Sequence, residues 1–387
     1  MTEMVLWSAI ALILYAYIGY PCALALLSMV RSRPVRKTAA TPPVSYIITV
    51  HNEESRIASK LQNTLTQDYP GELEIIVASD CSTDRTDAIV RGFEPHVRLV
   101  RAAERRGKEA AQQLAVAAAS GEILVFSDAA TLLDCTGIST LVANFGDRTV
   151  GCVSSIDRVI APDGTVSGEG AYVRYEMLLR QLESRVNSLV GLSGSLFAAR
   201  RDVCRRWASD RQSDFSTLLN SVSLGFRGVI DPDTAGYYMD LRDGRRELER
   251  KIRTVLRGIA VLSSNLRLLN PLRHPLFAWQ LTSHKVCRWL VPFAMIAALV
   301  SGALLVARGV PEAGAASTNL YVLLLGLQLG FYTAAAVGLA TGSRALRLPA
   351  YFVVVNFAIL AAWMRFAHGE RMTTWTPSER LHALPRS

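Results

Sequence analysis

Four stretches of the chain, residues 4–30, 289–307, 313–343 and 348–364, contain no Asp, Glu, Lys or Arg. Each approaches or exceeds the ~20 residues that cross a hydrocarbon core as a helix, so the pattern predicts four membrane spans. Between the first and second spans the pattern changes. Short β-branched runs at 44–50, 73–78, 97–100 and 123–126 alternate with helical stretches at 53–67, 83–93 and 107–119. Strands alternating with helices predict an α/β fold with a mostly parallel, doubly wound sheet, whose ligands bind beyond the carboxyl ends of the strands. A helix near 137–145, a strand near 150–156 and an amphipathic helix over 172–186 follow.

Composition narrows the class. In 387 residues, 50% are hydrophobic and 19% charged, which excludes a disordered or collagen-like chain. The net charge of +9 suits an anionic partner: nucleic acid, nucleotide or lipid surface. The apolar spans turn that choice toward a membrane and away from nucleic acid. Six scattered cysteines form no CxxC pair, so neither a zinc site nor a disulfide framework is indicated.

Charge also orients the chain. Arg31, Arg33, Arg36 and Lys37 follow the first span at once, whereas only Glu3 and the amino terminus precede it. The positive-inside rule then places the middle segment in the cytoplasm and the chain in a cell inner membrane as a multi-pass protein. The first span reads as a retained anchor, being long for a signal-peptide core and followed by no small-residue cleavage site. Counting spans makes the tail external, yet Arg365, Arg371, Arg380 and Arg386 favour the opposite side, which leaves its side open. Between Arg250 and Val310 no acid occurs, while Lys251, Arg253, Arg257, Arg267, Arg273, Lys285 and Arg288 alternate with apolar clusters. That stretch reads as interfacial helices on an anionic leaflet or as a solvated linker. The partition is an anchor and basic linker (1–41), an α/β domain (42–240), basic interfacial helices (241–286) and closing membrane helices with a tail (287–387).

Two strand ends carry an acid, Asp80 and Asp128, and both face the expected crevice. No GxGxxG follows the first strand, and Gly107-Lys108 is followed by Glu109 instead of Ser or Thr, which argues against dinucleotide and P-loop folds. The ordered series VSYIITVHNEE, ASDCSTD, GKEAAQ, VFSDAAT, GLSGSLFAARR, SDF and RKIRT resembles the membrane-embedded family 2 glycosyltransferases, a group that includes hyaluronan, chitin and cellulose synthases and bacterial exopolysaccharide enzymes. The resemblance runs from about Val44 to Trp375.

The resemblance implies a GT-A domain and a nucleotide-sugar donor. It assigns nucleotide contact to Val50, His51, Asn52, Glu53, Asp80, Lys108, Asp128 and Arg250. It makes Asp214 the base that deprotonates an acceptor hydroxyl, and it gives Asp128 and Arg253 the leaving diphosphate. Asp84, close by Asp80, is the better helix cap. Asp128 matches the first acid of the DxD motif and is the expected ligand of a divalent cation, Mg or Mn; Ala130 stands where the second acid belongs. Ser213 replaces the acid that usually precedes the base, and Asp210 is a rival to Asp214. The motif written QxxRW in processive enzymes has Arg250 and Thr254 at its Gln and Trp positions. The function so implied is inverting transfer from a nucleotide-diphosphate sugar, a UDP-sugar, to a hydroxyl of a growing polysaccharide or lipid-linked saccharide, alone or beside other exopolysaccharide assembly proteins. The alternative is a non-catalytic nucleotide-sugar-binding subunit of such an assembly.

Overall fold

The computed structural model describes residues 1–39, 41–160, 171–239, 244–308, 314–370 and 372. The boundary expected at 240/241, the loop at 309–312 and the tail residues Arg371, Arg380 and Arg386 lie outside the described residues. In chain order the elements are α1 (Thr2–Val30), β1 (Val44–Val50), α2 (Ile57–Leu65), β2 (Leu73–Ser79), α3 (Thr86–Arg91), β3 (Val97–Arg101), α4 (Lys108–Ala118), β4 (Ile123–Asp128), α5 (Gly137–Ala143), β5 (Val150–Ile160), α6 (Ala171–Val186), β6 (Leu196–Arg200), α7 (Ser213–Ser223) and β7 (Arg227–Met239). They are followed by α8 (Gly244–Ser263), α9 (Pro275–Arg308), α10 (Gly314–Thr341) and α11 (Arg347–Ala367). Two compact units divide these elements: a sheet unit built on Leu26–Arg242 with Ala260–Phe277, and a helical unit built on Met1–Ala25, Asp243–Ile259 and Ala278–Arg371.

The sheet unit holds one seven-stranded sheet in the order β3-β2-β1-β4-β6-β5-β7. Strands β3, β2, β1 and β4 run parallel, β6 runs antiparallel to β4 and β5, and β7 runs parallel to β5. All seven residues of β1 are buried, because helices cover both faces of a doubly wound sheet. Alternation along β1 divides its side chains: Tyr46, Ile48 and Val50 pack with Ile57 and Leu61 of α2, whereas Ile47 packs with Ala111 and Ala115 of α4. This is the GT-A arrangement.

Two helices are shorter than their patterns predict. Residues 53–56 and 83–85 stay out of α2 and α3 because their polar groups bind across the two loops, as described below. Strands β6 and β7 do not stand out in the hydrophobic pattern. The sequence of β7 includes Pro232, Asp233 and Gly236, which reads as a turn, but β7 is an edge strand with an irregular register near Ser154–Ile156, where Pro is tolerated.

Among the described residues four helices are long and apolar enough to cross a membrane: Thr2–Val30, Pro275–Arg308, Asn319–Thr341 and Arg347–Ala367. The helix carrying the second apolar stretch begins at Pro275, well before Trp289. Leu6 and Ala9 of α1 pack with Ala294, Ala298 and Leu305 of α9 and Tyr321 of α10. Small residues at such contacts let backbones approach, which supplies the packing that hydrophobicity cannot supply in lipid. Polar pairs add specificity: Tyr321 Oη donates to Glu3 Oε1 at 2.9 Å, and Trp363 Nε1 donates to the Trp289 carbonyl at 3.0 Å. Within the helical unit α8 is amphipathic, burying Ile252, Leu256 and Ile259 on one stripe while Glu249 reaches Arg365.

Candidate active site

The ends of β1 and β2 are bound to each other. The Asp80 amide donates to the Val50 carbonyl at 2.9 Å, and His51 Nδ1 lies 2.7 Å from the Asp80 carbonyl. Immediately beyond, Asn52 (φ 54°) and Cys81 (φ 53°) adopt left-handed conformations, so both chains turn sharply off the sheet. Asn52 Oδ1 accepts from the Thr83 amide at 2.8 Å, and the Glu53 amide donates to Thr86 Oγ1 at 2.8 Å. Asp84 caps α3 through the Thr86 amide at 2.9 Å and also accepts from the Glu54 amide at 3.1 Å. Burial pushes its carboxyl up, but these hydrogen bonds prevail and hold it below the usual range. The result is a concave, polar loop pair at the carboxyl edge of the sheet.

Asp80 is fully buried, and its two carboxylate oxygens accept from the Arg106 and Gly107 amides at 2.9 Å each. It therefore fixes the loop that leads into α4. Gly107 has φ 102°, a conformation open to glycine, and the next residue, Lys108, begins the helix. Trp207 secures the same helix from outside: Nε1 donates to the Glu109 carbonyl at 2.9 Å while its ring stacks on Phe126 of β4 at 4.8 Å.

That framework delivers Lys108 Nζ to Asp128 Oδ1 at 2.5 Å and to the Gly194 carbonyl at 3.0 Å. Burial opposes the ammonium, but Asp128, Glu109 and Asp214 outweigh it and raise the lysine above its ordinary value. Asp128 begins a tight turn in which the Thr131 amide donates back to the Asp128 carbonyl at 3.1 Å, with Ala130 half-buried inside the turn.

The Ser193-Gly194-Ser195 loop closes the site. Ser193 and Ser195 donate to Asp157 Oδ1 at 2.8 and 2.5 Å, and the Asp128 amide donates to the Ser195 carbonyl at 3.0 Å. Asp214 stands in the first turn of α7, Oδ1 accepting from the Phe215 amide at 2.8 Å and Oδ2 from Gln212 Nε2 at 3.1 Å. A Cβ on Gly194 would lie 3.1 Å from Asp214 Oδ2, so only a bare backbone separates the carboxylate from the carbonyl that Lys108 holds. Asp128, Lys108 and Asp214 thus converge on Gly194.

Arg250 and Arg253 stand on α8, in the helical unit. Arg250 makes a two-pronged pair with Glu247, Nε and Nη2 each 2.8 Å from a carboxylate oxygen. Burial raises the Glu247 carboxyl, yet Arg250 and Lys251 prevail and hold it at about 2.

Two parts of the site escape sequence reasoning. Lys60 is fully buried beneath the Asp128 turn, donating to Tyr46 Oη at 2.9 Å, to Ser127 Oγ at 2.8 Å and to the Thr131 carbonyl. Its signal is a lysine on the apolar stripe of α2, in step with Ile57, Leu61 and Thr64. Asp157 gives no comparable signal, since it lies on the polar end of a long strand and acts through two serines almost forty residues away in sequence.

Among the described residues no three His, Cys, Asp or Glu side chains are grouped to hold a metal ion. Asp128 stands at the strand end where a cation is expected, and Lys108 is paired with it. Such a donor set fits a cation that arrives with a diphosphate and takes one protein carboxylate.

A doubly wound sheet with these strand-end acids is a GT-A scaffold, and the Glycosyl transferase family 2 model matches residues 45–207. An N-acetylglucosaminyltransferase of Bradyrhizobium sp. (strain ANU 289) is 30% identical over 109 residues, 27% of this chain and 71% of that protein. The chain belongs to glycosyltransferase family 2. A mannosyltransferase from Pyrobaculum calidifontis, solved with GDP-Man and Mn2+, superposes with a TM-score of 0.72 at 25% identity, covering 96% of this chain and all of that one. Succinoglycan biosynthesis protein ExoO of Rhizobium meliloti (strain 1021) is 23% identical over 221 residues, 52% of this chain and 62% of that protein. The chain spans only 30% of the length of an N-acetylglucosaminyltransferase of the same strain.

Proposed function

We propose that the protein is an inverting glycosyltransferase that moves a sugar from a nucleotide-diphosphate donor to a saccharide hydroxyl at the cytoplasmic membrane face. The observation that carries this reading is the convergence of Lys108–Asp128 and Asp214 on Gly194. Inverting transfer needs positive charge on the departing diphosphate and a base on the attacking hydroxyl, on opposite sides of the anomeric carbon. Lys108 supplies the first within the sheet unit, with Arg253 as the further cation, and Asp214 supplies the second. A divalent cation held by Asp128 and the diphosphate would neutralise the leaving group further. Val50, His51, Asn52, Glu53 and Asp80 form and brace the cradle for the nucleoside, and Arg250 stands with Arg253 on α8.

The boundaries that accompany this reading are an anchor (1–41), the GT-A domain (42–240), the basic helices (241–286) and the closing spans (287–387). The cluster Arg31, Arg33, Arg36 and Lys37 after α1 supports a cytoplasmic sheet unit. The likeness to a succinoglycan biosynthesis protein supports a polysaccharide acceptor, and the likeness to a mannosyltransferase solved with GDP-Man makes GDP-mannose, beside UDP-sugars, a donor to test.

The experiment is a donor screen. The full chain, purified in a membrane mimetic, is given UDP- and GDP-sugars with Mg or Mn, and release of nucleoside diphosphate is followed with sugar transfer to a lipid-linked saccharide. Turnover of one donor is expected. Tight nucleotide-sugar binding with no turnover of any donor would instead identify a non-catalytic subunit, the reading that Ala130 favours.

A further inference from the structure

A groove of about 690 Å³ lies on the β7 edge of the sheet unit, lined by the basic linker after α1, by α6 and by β7. Strand β7 is three places from β4 in the sheet, on the order of 14 Å, so the groove is separate from the Asp128 site. Its charges are not balanced. Lys37 Nζ bridges Asp231 at 2.9 Å and Asp233 at 2.8 Å, so the two acids of that wall share one ammonium and are held away from the arginines. Arg185 spends only Nε on a neutral partner, Ser32 Oγ at 3.1 Å. Arg33 has no ion-pair partner among the described residues, and the neighbouring Arg227 is already paired with Asp147 at 3.0 Å. Arg227 is held below its ordinary value first by burial and, despite Asp147, also by the charge of Arg33. Arg33 and Arg185 therefore line the groove with no carboxylate in ion-pair distance among the described residues.

The other wall is apolar. Leu178 is 56% exposed, and Leu182 follows one turn later on the same side of α6, with Arg185 beyond it. The cationic end lies close to where a bilayer must begin: Arg33 is three residues beyond Val30, the last residue of α1, a reach of at most ~11 Å. Backbone contacts fix that linker on α6, the Arg33 amide donating to the Arg185 carbonyl at 2.8 Å. Two arginines without a carboxylate partner, beside exposed Leu178 and half-buried Leu182 and at most ~11 Å of chain beyond the end of a membrane-spanning helix, match one chemistry. The ligand carries a phosphate for the guanidiniums and an apolar body for the leucines, and it comes from the bilayer.

We propose that this groove is a binding site for an anionic phospholipid, its phosphate held by Arg33 and Arg185 and its glycerol and upper acyl carbons lying on Leu178 and Leu182. A soluble nucleotide or free phosphate lacks the apolar body. A zwitterionic lipid brings a cation of its own toward the arginines.

The test uses the full chain in detergent micelles doped with phosphatidylglycerol or phosphatidylcholine, with retained lipid counted by native mass spectrometry. Phosphatidylglycerol is expected to be retained at least tenfold more strongly than phosphatidylcholine. Arg33→Gln with Arg185→Gln should lower its affinity about twentyfold, whereas the paired Lys substitutions should keep most of it. Arg36→Gln, outside the groove, is the control and should change nothing. Leu178→Gln, at an exposed position that does not threaten the fold, should weaken retention severalfold on its own. Equal retention of the two lipids, unchanged affinity in both the arginine and the Leu178 variants, or displacement of phosphatidylglycerol by inorganic phosphate would each overturn the proposal.

Discussion

Lys108 Nζ lies 2.5 Å from Asp128 Oδ1, so the one carboxylate at the expected cation position is already answered by a protein cation. A metal ion that binds Asp128 must first displace or share this ammonium. A diphosphate eases the exchange because it offers Lys108 new oxygens. Lys108→Gln should therefore act in two directions, strengthening Mn binding to the nucleotide-free protein severalfold while lowering transfer about a hundredfold or more. Calorimetric Mn titration together with donor turnover checks this. Unchanged metal affinity would mean that the ion pair does not gate the cation.

Asp214 and Gly194 give a matched pair of predictions. Asp214→Asn keeps the shape and the Phe215 amide contact but removes the proposed base, so it should abolish transfer and leave nucleotide binding within a few fold. Gly194→Ala should reduce kcat through Asp214, because the new methyl meets Oδ2 at 3.1 Å, while the fold survives since Gly194 itself is exposed. Equal loss of nucleotide binding in both variants would make Asp214 a donor contact instead of a base.

Lys60 makes stability depend on pH. Burial depresses it to about 7, with the Asp128 charge opposing the shift. Its unfolded value is about 10.4. Between these values the unfolded chain binds the proton and the folded chain does not, so this residue makes stability rise with pH above about 7. Lys60→Met removes that contribution. It also strips the Tyr46, Ser127 and Thr131 oxygens of a hydrogen-bond partner, so the informative quantity is the slope. The difference in stability between wild type and Lys60→Met should change by roughly 3 kcal/mol from pH 7 to 9.5. Parallel pH profiles would show that Lys60 stays charged in the fold.

The four parallel strands were legible because a sheet covered on both faces writes itself as continuous β-branched runs, as at Val44–Val50. The helices between them were legible at their apolar stripes but not at their starts. Asn52, Thr83 and Asp84 serve a bond network between two loops that no single window contains. Asp80 shows the same limit: its position at a strand end was evident, whereas its two bonds to the Arg106 and Gly107 amides join residues 26 and 27 positions apart. Strand β7 was masked by Pro232 and Gly236, which are acceptable only because the strand is at an edge. Lys60 was missed: a lysine on the apolar stripe of α2 was the available signal, but its three partners come from β1, β4 and the turn beyond β4, which only the fold brings together.

Ala130 is where this chain departs from the DxD pattern that its sequence otherwise resembles. The Thr131 amide closes the turn on the Asp128 carbonyl, and Lys60 holds the Thr131 carbonyl from beneath, so the turn keeps a fixed shape without a second acid. If Asp128 is the only protein carboxylate on the cation, metal should bind weakly without nucleotide and mainly as its diphosphate complex. Activity should then require high free metal. Ala130→Asp places a second carboxylate two residues on, at a half-buried position whose backbone the turn already fixes. It should lower the metal concentration for half-maximal rate by about tenfold, and it should do so more for Mg, which tolerates few but well-placed carboxylates. Mg and Mn titrations of both proteins decide the matter. An unchanged requirement, or full activity in EDTA, would assign the leaving-group charge to Lys108 and the arginines of α8 alone.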